Sequence, residues 1–389
     1  MGGIRRRALI VLGAGPAQLG AYLAASDLGL VSVGCDSDPR AFCIRLGVPT
    51  HHHDVSTMNR VAIAQVARRY EAVGVIAAGT DGPVRVAAEV AAELGLPHPL
   101  DVATAARAID KLAQRQAFDA AGVPQPAWSA DGARPGAGAV VVKPVVAQGQ
   151  RGLTRVEAGE DLSAALALAR AVSRDGGALV EELIDGPELT VNAFVSAGEF
   201  HALMVADREC SDAFGVATAH VAPSAHAVEA AVEAARLATR ALGIEHGPSY
   251  VQLVLGADGP RVMEVAARLG GGHDGELCVH STGVSLSQLA VRAAIGEDVS
   301  PPAPRSLAAG VVRFLLAPPG RLERIEGLEE ARALPGVQLV HVYREPGDLL
   351  PRVARGADRA GFVLATGATR DEALAAAGRA RDAIRFVVR

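Results

Sequence analysis

Aromatic residues are scarce: one tryptophan, four tyrosines and eight phenylalanines in 389 residues. A chain so poor in rings offers no stacking platform for bases, and a formal net charge of −5 gives it no basic field for nucleic acid. Cysteine is equally thin. Cys35, Cys43, Cys210 and Cys278 stand far apart without a CxxC pair, which excludes a zinc ribbon or disulfide framework and fits a reducing cytoplasm. No run approaches the roughly eighteen consecutive apolar residues of a membrane helix. The N-terminal MGGIRRRALIVLGAG has three arginines before an apolar run, but glycines interrupt it and no cleavage pattern follows. A cytoplasmic protein is expected, partnered by neither membrane nor nucleic acid. A GxxxxGK[ST] phosphate loop is missing too.

What is present is alanine, glycine and aliphatic residues, with half the chain hydrophobic. A chain this long exceeds one ordinary core, so two or three domains are expected. Ala8 to Leu12 is a continuous apolar run, the pattern of a buried parallel strand, and Gly13-Ala14-Gly15-Pro16 turns it into a helix starting near Ala17. A second strand, Val31 to Cys35, ends in Asp36, where a dinucleotide fold places its ribose-binding acid. A third, Ala72 to Ala77, runs into Gly79-Thr80-Asp81-Gly82. This is a Rossmann-like unit. Its third fingerprint glycine is displaced to Gly20, so the pattern marks the fold more than a cofactor. His51-His52-His53-Asp54 invites a metal, yet consecutive residues of an extended segment point to alternate sides; a strand-end loop is expected there.

Chemistry should converge on Ser249 to Gly272. Tyr250 to Leu255 and Arg261 to Val265 flank an Ala-Asp-Gly-Pro turn, the spacing of a β-hairpin. Alternation then puts an amide, Gln252, and a carboxylate, Glu264, between apolar neighbours on paired strands. A carboxylate buried that way must be paired, protonated or bound to a cation. Arg268 and Gly270-Gly271-Gly272 follow, so a magnesium-phosphate corner is one reading and a surface hairpin the other.

Further motifs precede it. Lys111 and Arg115 share a helix face, four apart, with Asp110 and Phe118 around them. Ala139 to Val142 ends in Lys143-Pro144 before Gln148-Gly149-Gln150-Arg151-Gly152-Leu153, a lysine beside a glycine-containing turn. Ala178 to Val180 runs into Glu181-Glu182-Leu183-Ile184-Asp185-Gly186-Pro187-Glu188, acids at a strand end and beyond a bend. Past Pro301 and Pro302, Gly310 to Leu316 is a strand carrying Arg313, either an edge charge or an inward anion binder.

Asp-Lys-x3-Arg-x2-Phe, Val-Lys-Pro with its glycine loop, Glu-Glu-Leu-Ile-x-Gly-x-Glu, and Glu-x3-Arg-x-Gly-Gly occur in that order, and together they resemble the ATP-grasp superfamily. With the unit before them, the resemblance covers nearly the whole chain. It implies an α/β and α+β multidomain architecture: a Rossmann-like pre-grasp domain over 1–108, an ATP-grasp domain of two subdomains over 109–300, and a small C-terminal α+β domain over 301–389 similar to that of L-amino-acid ligases. By the same resemblance, Lys111 and Lys143 hold phosphates, and Arg115 matches a basic position of carbamoyl-phosphate-synthetase-like members. Gln148, Gly149, Gln150 and Gly152 belong to a lid over the phosphates; Glu181, Glu182 and Ile184 meet adenine, and Glu188 the ribose. Gln252 and Glu264 hold magnesium, or manganese in its place, with Ala266 standing where the family's asparagine ligand is common. Arg268, Lys143 and Glu264 are the implied catalytic residues, and His220, Gly271, His273 and Arg313 face the substrates.

The implied activity is an ADP-forming carboxylate-amine ligase: ATP phosphorylates a small-molecule acid, such as an amino acid, and an amine displaces phosphate. A homodimer is implied too, since relatives commonly dimerise. Three alternatives stay open: a purine-pathway-type enzyme using formate or bicarbonate, an NAD-dependent oxidoreductase resting on Gly13, Gly15 and Asp36, and a non-catalytic nucleotide-binding protein.

Overall fold

The computed structural model describes residues 7–147, 151–211 and 215–389. Four sheets are built from nineteen described strands. The first is parallel, in the order β3-β2-β1-β4, from β1 (Ala8–Leu12), β2 (Val31–Asp36), β3 (His51–Asp54) and β4 (Gly74–Ile76). All five residues of β1 are buried, as its unbroken apolar run requires with helices on both faces. At its end Gly13 takes φ +96°, which lets the backbone turn; Tyr22 Oη donates to its carbonyl at 2.8 Å.

Asp36 is already used by this turn. One carboxylate oxygen accepts from Ala14 N at 2.7 Å and the other from Asp38 N at 2.9 Å. The expected ribose-binding acid is therefore a brace for the turn, which removes the main support for the nicotinamide alternative. The histidine run also differs from expectation. It is the edge strand β3 rather than a loop, with His52 bonded to Asp36 O and His53 to Tyr70 Oη.

An antiparallel sheet follows, in the order β5-β8-β6-β7, from β5 (Trp128–Ser129), β6 (Val140–Pro144), β7 (Thr154–Val156) and β8 (Ala178–Glu182). The largest sheet has eight strands, β13-β12-β9-β10-β11-β14-β18-β16. Its members are β9 (Glu188–Ser196), β10 (Glu199–Cys210), β11 (Ala217–Ala222), β12 (Gly247–Gly256), β13 (Gly259–Ala266), β14 (Ala309–Leu315), β16 (Val337–Val342) and β18 (Gly361–Gly367). A small sheet of β15 (Gly320–Glu326), β17 (Leu349–Leu350) and β19 (Arg385–Val388) closes the C-terminal end.

Across the proline linker, Ala219 to Ala222 pair with Arg313 to Gly310, so the last ninety or so residues extend the same sheet that carries the central motifs. Its apolar layers are alanine, valine and leucine, including Ala231, Ala234, Ala235 and Ala238 from the helix Glu229–Ala241. Small side chains let helix and sheet approach closely, and the few large ones, such as Phe118, Phe194 and Phe362, are fully buried. Among the described residues no helix is long and apolar enough to cross a membrane.

Candidate active site

The hairpin forms as its alternation requires, and Gln252 lies directly opposite Glu264. Tyr250, Gln252, Val254 and Glu264 line a cavity of about 390 Å³, closed on its other wall by Lys143, Glu181, Glu182 and Ile184 from β6, β8 and the bend after it. Two sheets thus face each other across a cleft. Contrary to expectation, Glu264 is not buried: its side chain is 35% exposed, and Oε1 sits 3.1 Å from Lys111 Nζ. Burial pulls the Lys111 amine down, but Glu264 and then Asp81 outweigh it and hold the group above its usual range.

Glu188 fixes how Gln252 is presented. Its carboxylate can only accept, and it takes Gln252 Nε2 at 2.8 Å, leaving the amide oxygen as the group available to a ligand. Glu188 is also paired with Arg208, from β10. One carboxylate and one amide oxygen are what the protein can offer a cation here. Among the described residues no group of three histidine, cysteine or acidic side chains could hold a metal by itself. That donor set fits magnesium carried in on phosphates, which keeps most of its shell as phosphate oxygen and water. Ala266, opposite Tyr250, is buried and brings no ligand; Arg268 lies over the Tyr250 ring, 5.4 Å from its centroid.

Arg115 corrects its expected place. It is 1% exposed and all five of its N–H groups are satisfied by protein: Nε and Nη2 donate to Glu181 at 2.7 and 3.1 Å, Nη1 to Gln125 Oε1 and Val262 O, and Nη2 also to Met263 O. It ties the helix Lys111–Ala121 to both walls and does not line the cleft. Glu181, in turn, accepts Lys143 Nζ at 2.7 Å. Although burial opposes ionisation, Arg115 and Lys143 hold the Glu181 carboxyl down at about 2. Burial pulls Lys143 down to about 8 in spite of Glu181, with Arg115 and Lys111 adding to the effect.

Arg268 reaches the far end of the cleft. Nε donates to Asp81 Oδ1 at 2.8 Å, and its Nη1 to Leu269 O. Asp81 belongs to the loop after β4, so the parallel sheet contributes to the site at the carboxyl end of its strands. Burial raises the Asp81 carboxyl, but Arg268 outweighs it and leaves the group below its usual range.

The glycines after Arg268 are needed for reasons other than ligand approach. A Cβ on Gly272 would lie 2.4 Å from His220 Cε1, and one on Gly270 at 2.4 Å from Asp274 Oδ2. They make room for a buried dyad, His220 Nδ1 and Asp274 Oδ1 at 2.9 Å, whose histidine borders the cleft. Gly271 alone of the three lines a second, inner cavity as well. That cavity, about 720 Å³, lies between the Gly15 turn, Asp36, Phe42, His273, Phe314 and the 343–359 segment. His273 is stacked on Phe362 with centroids 3.8 Å apart.

Arg313 does not reach either cavity. It points to the opposite face of β14 from Phe314 and meets Glu209 at 3.4 Å. The neighbouring Phe314 faces the inner cavity instead. Gln148, Gly149 and Gln150 lie outside the described residues; Gly152, beyond them, packs against Pro144 and Val172. Residues that the sequence reading passed over are Asp81, Arg208, Tyr343 and Arg359. A charged Asp-Arg-Glu ending to the apolar strand β10 is the signal that could have found Arg208.

Comparison with known proteins agrees with this arrangement. A family model described as ATP-grasp domain matches residues 108–272, the stretch supplying both walls of the cleft. Residues 108–272 form an ATP-grasp domain. A second model, L-amino acid ligase C-terminal domain 2, matches residues 313–389. The chain is 28% identical over 318 residues to the uncharacterized protein y4rH of Sinorhizobium fredii, covering 73% of this chain and 62% of that protein. It is 32% identical over 258 residues to a formate-dependent phosphoribosylglycinamide formyltransferase of Burkholderia lata, covering 64% and 61%. The chain thus spans about three fifths of the length of the curated relatives it matches. In structure it resembles an L-amino acid ligase from Bacillus licheniformis, with a TM-score of 0.83 and 23% identity over the whole of both chains. That likeness establishes the fold.

Proposed function

We propose that the protein is an ADP-forming carboxylate-amine ligase that phosphorylates a small carboxylic acid with ATP and joins it to an amine. The supporting observation is the convergence of Lys111, Lys143, Glu188, Gln252, Glu264 and Arg268 on one cleft that opens, through Arg268 and Gly271, into a second cavity large enough for the joined substrates. A carboxylate is a poor acyl donor because it would have to expel oxide; transfer of the γ-phosphoryl group makes phosphate the leaving group. Lys111 and Lys143 would bind the polyphosphate, and Gln252 and Glu264 would hold its magnesium. Bound there, the cation offsets phosphate charge as it develops. Glu181 and Glu188 orient the cations around the nucleotide, with the backbone at Glu182 and Ile184 beside the base. At the boundary of the cavities Arg268 stabilises oxyanion charge on the acyl carbon once the amine adds. The domain division at 108 and 300 goes with this reading: nucleotide between the two central sheets, substrates against the first sheet and the C-terminal segment.

The match to a formyltransferase favours a second reading in which formate is the activated acid. One experiment separates the two: ADP release from ATP and magnesium with pooled L-amino acids, formate or bicarbonate, with products identified by mass spectrometry. Amino-acid-dependent ADP with a condensed product is expected. ADP release with formate or bicarbonate alone would move the protein to the second reading, and no release with any acid would refute both.

A further inference from the structure

In the cleft Lys111, Lys143, Arg208 and Arg268 each face a carboxylate of the protein, and Arg359 at its boundary faces none among the described residues. Arg359 lines both cavities, yet among the described residues its side chain has no hydrogen bond or ion pair, and its Nε is buried without a partner. Its guanidinium lies over Phe314, with Cζ 3.6 Å from the ring centroid. A stack occupies the face of the guanidinium and leaves its N–H edge free for a planar oxyanion. The group is also held in place from behind. Arg344 donates to the carbonyls of Ala357 and Arg359, and Asp358 accepts from the N–H groups of Ala354 and Arg355. Burial lowers the Arg359 guanidinium to about 10, and the nearby Arg208 adds to this. A desolvated, uncompensated charge held this firmly calls for an anion from outside the protein.

Gln18 points the same way independently. It is 3% exposed, lines the inner cavity beside Gly15, and its Nε2 has no partner. Unspent donors on one cavity, Gln18 Nε2 and Arg359 Nε with Arg344 Nε beside them, indicate an oxygen-bearing ligand.

We propose that Arg359 binds the free carboxylate of the amine-bearing substrate and so sets its position. This rests on the ligase reading for which substrate is meant. In an α-amino acid one carbon separates the carboxylate from the amine. A carboxylate pinned at the boundary of the cavities therefore leaves the amine at the boundary too, beside Arg268 where the acyl phosphate forms. A substrate whose carboxylate is capped as an amide loses the charge that Arg359 pairs with.

The test measures binding of individual L-amino acids and their carboxamides by calorimetry, with ADP and magnesium present, to the wild-type chain, Arg359→Gln and Arg359→Lys. The wild type is expected to prefer the free acid at least about tenfold, the scale of a charge-assisted hydrogen bond. Arg359→Gln should abolish the preference and Arg359→Lys should keep part of it, with ADP affinity unchanged. Melting temperature should hold or rise in Arg359→Gln, because no protein partner is left unpaired. An unchanged acid preference in Arg359→Gln would overturn the proposal, as would no preference in the wild type, or a loss confined to ADP. Binding behaviour as expected without any ADP release from ATP would sink the ligase reading and leave the Arg359 assignment standing. Normal ligation with an undiminished acid preference in Arg359→Gln would do the reverse.

Discussion

The two cavities are built on opposite principles. In the outer cleft Lys111, Lys143, Arg208 and Arg268 are each matched to a carboxylate of the protein, and Arg115 behind them is saturated. At the inner boundary Arg359 is matched to nothing in the described chain. A polyphosphate site neutralised from within keeps its shape before the nucleotide arrives, and the nucleotide then exchanges one set of charges for another. A site completed by its ligand does not reach electroneutrality until the substrate is present. On the proposed reading, the contrast separates a generic fuel site from a selective substrate site.

The largest effect is expected where the outer cleft is broken at its base. Glu181→Gln removes the charge that satisfies buried Arg115 and Lys143, and should cost about 3–5 kcal/mol of stability in urea unfolding; a loss below about 1 kcal/mol would mean that Arg115 is not held as described. Next is Arg268→Met, which touches both cavities. Turnover should fall on the order of a hundredfold or more with little change in KM for ATP. Full turnover with only a raised substrate requirement would remove its oxyanion role.

A pH titration sharpens the contrast further. Because Lys143 titrates near 8 in the folded chain, ATP should bind more weakly as pH rises past that value, and Lys143→Arg should flatten the profile. The effect on folding has the opposite sign. The unfolded lysine, at 10.5, binds a proton that the folded one has lost between about pH 8 and 10.5, so this group's contribution to stability rises with pH across that window. ATP affinity independent of pH from 7 to 9.5 would contradict the burial of Lys143. The smallest change is expected for Arg313→Ala, whose half-exposed partner Glu209 makes a weak pair: less than about 1 kcal/mol in stability, and no change in KM for either substrate. A raised KM for one substrate would return Arg313 to the site.

The outer cleft was largely legible in the sequence, because its residues sit on strands and a helix whose periodicity fixes which side chains share a face. Gln252 opposite Glu264, Lys143 near the end of β6 and Lys111 on its helix are of this kind. Arg115 shows where that reasoning stops: periodicity gives the face, while depth depends on how closely the two walls approach. Arg313 shows a second limit. Alternation says that Arg313 and Phe314 lie on opposite faces of β14, but only the layers packed on each side decide which face meets the cavity. Arg359 had no signal at all. It follows an irregular segment and a short 3₁₀ turn, Gly356–Asp358, where position comes from hydrogen bonds to Arg344 rather than from a repeat.

The hydrogen bonds between β11 and β14 bear on how such a protein can diversify. The strand that carries His220 and the strand that carries Phe314 are neighbours in one ladder, so the C-terminal segment is not a detachable cassette. Exchanging everything beyond residue 300 between relatives would have to reproduce a strand register as well as a pocket. New acceptor preferences are therefore easier to acquire by drift within the 343–359 loops, which border the inner cavity and carry little of the sheet, than by recombination of whole segments.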